Sequence, residues 1–199
     1  MAVSQFVTRQ YPPEAFVESC GAIVFDLSKE PAKVCLLHYL AADEWLLAKG
    51  RRNCGESRHE AALREVLEET GLRCRLLPVD MATRAPAPDD EAGAPDEAAA
   101  RQAITEPFTL TTRSIDGGTG VKLIWWYVAT VEGGNGAEEN TAGGEHGGRR
   151  TRREENTAGG EAQFAARFFG CDEAVGKLTF ETDREILRRA IDLVKRTPS

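Results

Sequence analysis

An α/β fold is what this sequence predicts, from two kinds of pattern that alternate along it. Apolar, strand-like runs recur at Glu18 to Phe25, Val34 to Leu40 and Val121 to Val131, while helix-period stripes fill the stretch between Ser57 and Gly71 and the end of the chain. With 199 residues, 41% hydrophobic and 29% charged, one domain over 1–199 with a proper core is expected.

Taken in order, a short strand at Trp45 to Leu47 leads from the first two runs into a glycine-punctuated loop that begins at Gly50. Ser57 with Glu60 forms an S-x-x-E capping box, and Gly71 stands where a left-handed C-terminal cap belongs, so the helix between them is well specified. Arg73 to Pro78 reads as extended, and Pro86 to Ala100, rich in Pro, Asp, Glu and Ala, as a polar loop. Phe108 to Ser114 and Val121 to Val131 flank IDGGTG, the Asp-Gly and Gly-Gly signal of a hairpin. Residues 133–162 are rich in Gly, Glu and Arg and carry ENTAGGE twice, so a disordered insert is expected there. Phe164 to Phe169 returns as a strand. Thr182 with Glu185 should cap a last helix, whose Ile186, Leu187, Ala190, Ile191 and Val194 form one apolar stripe.

The formal charge of -7 argues against a general nucleic-acid binder, which needs a basic stripe to neutralise many phosphates. The five cysteines are odd in number and lack metal-type spacing; most lie in apolar runs, as expected of a reducing compartment. The N-terminus has no apolar signal core, and no segment approaches the ~20 apolar residues that span a bilayer. A cytoplasmic protein, with the nucleus as alternative, is expected.

The chemistry concentrates between Gly50 and Leu72. On a helix Glu65, Glu68 and Glu69 lie at i, i+3 and i+4 and project from one face. Like charges so close raise one another's pKa unless a cation sits between them, and carboxylate oxygens suit Mg2+ or Mn2+ rather than Zn2+. Leu63, Val66 and Leu67 fall roughly 150° away on a helical wheel, so these apolar residues are expected to face the core and the acids an open site. Gly50 and Gly55 permit a tight loop that turns main-chain carbonyls to a cation and amides to a phosphate.

From Gly50 the chain reads, without a gap, G-x5-E-x7-R-E-U-x-E-E-x-G-U with U apolar: Gly50, Glu56, Arg64, Glu65, Val66, Glu68, Glu69, Gly71 and Leu72. In this it resembles the Nudix hydrolase family. The resemblance implies an α/β/α sandwich with a mixed β-sheet, and a hydrolase of a phosphorylated small molecule that carries a nucleoside or other organic diphosphate. It implies Glu65 and Glu69 as principal metal ligands, Glu68 as a further ligand or the base, and a main-chain carbonyl from Lys49 or Gly50. These three glutamates are the catalytic candidates, Mg2+ (or Mn2+) is the expected cofactor, Arg64 orients the acids and Glu56 braces the loop. A further acid from outside the signature is expected, and Glu106, Glu161 and Asp172 are candidates without rank.

For the substrate, Lys49, Arg51 and Arg52 flank the diphosphate site, and Lys122, Arg113 and His38 are further candidates. Trp125 and Trp126 are adjacent on a strand, so one should face the core and the other the opposite side. The stretches LLAKGRRNCGES, TEPFTLTTRSI and GVKLIWWYVATV resemble fungal Nudix enzymes related to the diphosphoinositol polyphosphate and diadenosine polyphosphate phosphohydrolases, although Ala48 stands where proline is common and no Gly-Gly-Gly run opens the loop. The cationic run points first to a diphosphoinositol polyphosphate. Alternatives are a dinucleoside polyphosphate or other nucleoside diphosphate derivative, mRNA cap included, and a non-catalytic binding module of the same fold.

Overall fold

The strand β1 (Phe16–Asp26) organises the molecule, because its alternate side chains feed two different cores. In the computed structural model, which describes residues 5–28, 30–88, 90, 95–132 and 164–198, it runs parallel to β9 (Gly120–Val131) over its length. Antiparallel partners are β2 (Lys33–Tyr39) at one end of β1 and β4 (Lys49–Arg51) at the other. With β3 (Glu44–Leu46), β5 (Cys74–Leu76), β8 (Thr109–Ile115) and β10 (Phe164–Gly170) they form one mixed eight-stranded sheet of order β10-β2-β1-β9-β5; β3, β4 and β8 pair with β2, β1 and β9.

Cys20, Ala22 and Val24 face α1 (Arg58–Thr70) across a layer of small residues, Ala61, Ala62 and Ala129 among them, which lets the helix lie close to the sheet. Ile23 and Phe25 face the other way, against α2 (Cys171–Lys177) and α3 (Glu181–Arg196), where the large side chains Trp126, Leu178, Leu187 and Ile191 fill the space. Helices on both faces of a mixed sheet make the α/β/α sandwich that was expected.

The elements read from the sequence appear with small shifts of boundary, and the hairpin turns at Asp116–Gly118, where Asp116, Gly117 and Gly118 all take positive φ (51°, 67° and 98°). Four features differ. Part of the expected polar loop is strand: β7 (Ala99–Ile104) pairs with β6 (Val79–Thr83) in a second, two-stranded sheet. Its residues are mostly alanine and polar, so pairing across the sheet rather than local pattern forms it. The helix α2 was missed because it is seven residues long and only Ala174 is buried, too little for a stripe. The last helix starts at Glu181 with Phe180 as its uncapped N-cap, not at a Thr182 cap. The cause is upstream: the Thr179 hydroxyl accepts from Trp45 N (2.8 Å) and Thr179 N donates to Trp45 O (3.1 Å), which pins the chain to β3 and sets where the helix begins.

The fourth difference concerns α1. Its buried residues are Ala61, Ala62, Glu65 and Val66, whereas Leu67 is 40% exposed. Glu65 therefore lies on the sheet-facing stripe, among alanines too short to fill it, and the three carboxylates do not share one open face. The expected insert at 133–162 lies outside the described residues. Among the described residues no helix is long and apolar enough to cross a membrane.

Candidate active site

The site is built on α1 and the loop that precedes it. Ser57, in extended conformation, accepts a hydrogen bond from Glu60 N, while the Glu60 carboxylate accepts from Ser57 N (2.9 Å), so the capping box closes as the sequence requires. Gly71 ends the helix at φ 74° and returns its N–H to Leu67 O (2.9 Å).

Within this frame Arg64 is the hub. Its Nε and one terminal nitrogen donate to the two oxygens of Glu56 (2.7 and 3.0 Å), the other terminal nitrogen donates to Glu65 (2.9 Å) and Glu68 (3.0 Å), and a further bond reaches Arg51 O (2.9 Å). Glu56 also accepts from Asn53 N (2.9 Å), which ties loop to helix. The bonds from Arg64 hold the Glu56 carboxyl below the usual carboxylate range despite partial burial. Reciprocally, the bond to Glu56 keeps the Arg64 guanidinium more firmly protonated than usual.

Glu69 reaches the sheet directly: its carboxylate accepts from Lys49 N (2.9 Å). In an antiparallel pair, opposed residues alternate between bonded and non-bonded positions. Gly50 pairs with Cys20, and Arg52 N donates to Glu18 O (3.0 Å), so the main-chain groups of Lys49 and Arg51 point away from β1, and these are the ones α1 engages. Of the two carbonyls considered from the sequence, that of Lys49 therefore points to the helix side, while Gly50 belongs to the β1 ladder.

Among the described residues, no three His, Cys, Asp or Glu side chains are gathered closely enough to hold a metal ion. Glu65 is 2% exposed, Glu68 lies on the exposed side of the helix with Arg64 between the two, and Glu69 turns to Lys49. The chemistry of the donors nevertheless suits a hard divalent cation, since three carboxylates, Glu56, Glu65 and Glu68, meet one guanidinium and a fourth, Glu69, follows on the same helix.

The basic residues divide between two faces. Across the sheet Arg113 opposes Lys122 and Lys122 opposes Val17; Ser19 opposes Arg51, and Gly21 opposes Lys49. Opposed residues share a face and alternate residues along a strand share it too, so Lys49, Arg51, Lys122 and Arg113 stand on the α3 side. A Cβ placed on Gly21 would lie 2.7 Å from Lys49 Cβ and 2.8 Å from the Trp126 ring, which fixes that side. At its edge Asp183, in the first turn of α3, is 6% exposed; burial pushes its carboxyl up, opposed by the charges of Arg113 and Lys49. Ser19 Oγ is fully buried on this face and has no hydrogen-bond partner among the described residues.

Arg52 is not with them, and His38, although on the α3 side with Leu36 and Trp45, sits at the β2–β3 pair. Arg52 turns to the α1 side and is bound by Glu18 (2.9 Å). His38 donates or accepts at Asp43 (2.6 Å) and stacks on Trp45, with centroids 4.3 Å apart. Trp126 is in the α3-side core, its indole N–H on Thr111 (3.1 Å), while Trp125 faces the α1 side under Arg58. Of the acids considered for an outside ligand, Glu106 and Asp172 are exposed and Glu161 lies outside the described residues. Glu18 escaped the sequence reading altogether: it belongs to no motif, and its partners Arg52, Arg58 and Trp125 are 34, 40 and 107 residues away.

Residues 17–98 match the family model of the NUDIX domain, which encloses the whole Gly50–Leu72 signature. Among solved structures, the fold is similar to that of an Ap4A hydrolase from C. elegans, at 14% identity over 90% of this chain and 98% of that one, with a TM-score of 0.52. It is likewise similar to the dihydroneopterin triphosphate pyrophosphohydrolase of E. coli, at 13% identity, 88% and 95% coverage and a TM-score of 0.50. At such identities the likeness is one of fold. The matched domain, spanning residues 17–98, thus holds the fully occupied signature and the Arg64-centred carboxylate network, and these together support a pyrophosphohydrolase.

Proposed function

We propose that the enzyme hydrolyses a phosphoric anhydride in a substrate bearing several phosphates, with a diphosphoinositol polyphosphate as the first candidate. The observation that carries this reading is the set of four cations, Lys49, Arg51, Lys122 and Arg113, on one sheet face beside the strand that Glu69 and Arg64 grip. Such a face would hold the phosphates that do not react. Arg52 and His38, candidates by sequence, contribute less on this reading because Arg52 lies on the opposite face with Glu18 and His38 sits with Asp43 at the β2–β3 pair.

Glu65, Glu68 and Glu69, with the outward carbonyl of Lys49 or that of Gly50, would hold the divalent cation, Mg2+ or Mn2+. When bound, the cation would neutralise the diphosphate and acidify the attacking water. Glu68 is the member best placed to accept the proton from that water: its side chain is 49% exposed and hence within solvent's reach. Glu65, buried, and Glu69, bonded to the main chain, are the members held in place. Arg64 keeps the mutual repulsion of Glu65 and Glu68 in check before the cation arrives.

A second reading, a dinucleoside polyphosphate or other nucleoside diphosphate derivative, is supported by Trp125, a half-buried aromatic next to the signature loop, and by the fold likeness to an Ap4A hydrolase. The test is product release with Mg2+ from a diphosphoinositol polyphosphate, a diadenosine polyphosphate, ADP-ribose and a capped RNA, each beside Glu69→Gln. Fastest turnover of the inositol substrate, lost in the variant, is expected. Preference for a nucleotide moves recognition to the aromatics, and wild-type turnover in Glu69→Gln would sink the metal-site assignment.

A further inference from the structure

Glu18 lies outside the signature, yet four donor nitrogens converge on its carboxylate. One oxygen accepts from Arg52 Nε (2.9 Å); the other accepts from Arg58 Nε (2.9 Å), a second Arg58 nitrogen (2.8 Å) and the Trp125 indole N–H (2.9 Å). Its side chain is 10% exposed. Burial alone would raise its pKa, but the bonds from Arg58 and Trp125 and the charge of Arg58 overcome this and hold it below the usual range.

We propose that Glu18 is a positioning residue for the catalytic helix, a carboxylate on β1 that latches the signature loop and the first residue of α1 to the sheet. The inference rests on the reading of Glu65, Glu68 and Glu69 given above. Two routes connect them. Arg52, held by Glu18, donates also to Glu56 O (2.8 Å) and Asn53 O (3.3 Å); Glu56 in turn holds Arg64, and Arg64 holds Glu65 and Glu68. Arg58, the first residue of α1, is drawn by Glu18 over the Trp125 ring at 4.1 Å, which anchors the helix N-terminus to β9. One carboxylate thus ties β1, β9, the loop and the helix at the end where the loop enters.

The role differs from that of an ordinary structural ion pair. Arg52 and Arg58 have 30% and 47% of their side chains exposed, so both can turn to water when released, and the cost to the fold is small. What is lost is the register of the loop, and catalytic groups displaced by about 1 Å cost rate steeply.

The decisive variant is Glu18→Gln, which keeps shape and one carbonyl acceptor and removes the charge; Glu18→Asp restores the charge on a shorter arm. With a diphosphoinositol polyphosphate and a diadenosine polyphosphate as probes, Glu18→Gln should lower kcat about tenfold or more and leave KM within about twofold, and Glu18→Asp should recover part of the loss. In the metal-free protein, amide exchange at 52–58 should quicken about tenfold while β1 and β9 stay protected, and the Trp125 indole N–H resonance should shift. Wild-type kcat and wild-type exchange at 52–58 in Glu18→Gln would overturn the proposal. So would a uniform loss of protection and of melting temperature, which marks a scaffold residue. The exchange and indole readouts need no turnover, so they decide the latch even if neither probe is cleaved.

Discussion

Arg64 shows how one residue type can be dictated by geometry. Three acids on two elements have to be bridged, and only a planar fork with donors on three nitrogens reaches Glu56, Glu65, Glu68 and a main-chain carbonyl at once. The pairing of Arg64 with Glu56 carries a pH signature. The Glu56 pKa is depressed in the folded state below its ordinary 4.5, so the stability it contributes is present above that value and is lost as pH falls through the lower folded pKa. Glu56→Gln should therefore be less stable than wild type in urea at pH 7, with the gap narrowing as pH drops below about 4.5; a gap that stays constant to pH 3 would mean that packing, not charge, makes Glu56 matter. Roles of this kind were legible because Glu56, Arg64, Glu65, Glu68 and Glu69 sit at fixed spacings on one loop and one helix. Glu18 was not, since strand pairing rather than proximity in sequence brings its partners to it.

At the scale of elements, the contact that matters most for the site is between β1, β4 and β9. Gly21 is required there by space rather than by backbone conformation: a Cβ would stand 2.5 Å from Ala48 O, 2.7 Å from Lys49 Cβ and 2.8 Å from Trp126. A backbone oxygen at that distance cannot give way without moving β4. Gly21→Ala should cost about 1–3 kcal/mol in denaturant unfolding and, because Lys49 N is the partner of Glu69, should lower kcat in the molecules that remain folded. An unaltered midpoint and kcat would show that β4 can shift without consequence. The elements that carry their own signals, α1 with its capping box and Gly71 and the Asp-Gly-Gly hairpin, were legible to within a residue or two. Those whose position is set by distant partners were not: β6 and β7 by each other, the start of α3 by the grip of Thr179 on Trp45, and the buried placing of Glu65 by the small residues beneath it.

Over the whole molecule the charge is -7, so the proposed polyanionic substrate would meet net repulsion at long range and depend on local cations such as those of the α3-side face. The sequence could list Lys49, Arg51, Arg52, Lys122, Arg113 and His38 but could not sort them, because the face a strand residue takes depends on register and parity, which pairing decides. Sorting yields a prediction that separates the two faces. Arg113→Gln and Lys122→Gln should each raise KM for a diphosphoinositol polyphosphate roughly tenfold at low salt, the equivalent of one charge-assisted contact, with kcat nearly unchanged. The difference from wild type should fade as ionic strength rises and screening removes the advantage. Arg52→Gln, on the face of Glu18, should do the reverse, lowering kcat and leaving KM and its salt dependence close to wild type. Steady-state kinetics at two salt concentrations decide the matter: a KM effect from Arg52 as large as that from Arg113 would mean that the substrate does not lie on the α3 side, and the division of charge between the faces would then serve the fold alone.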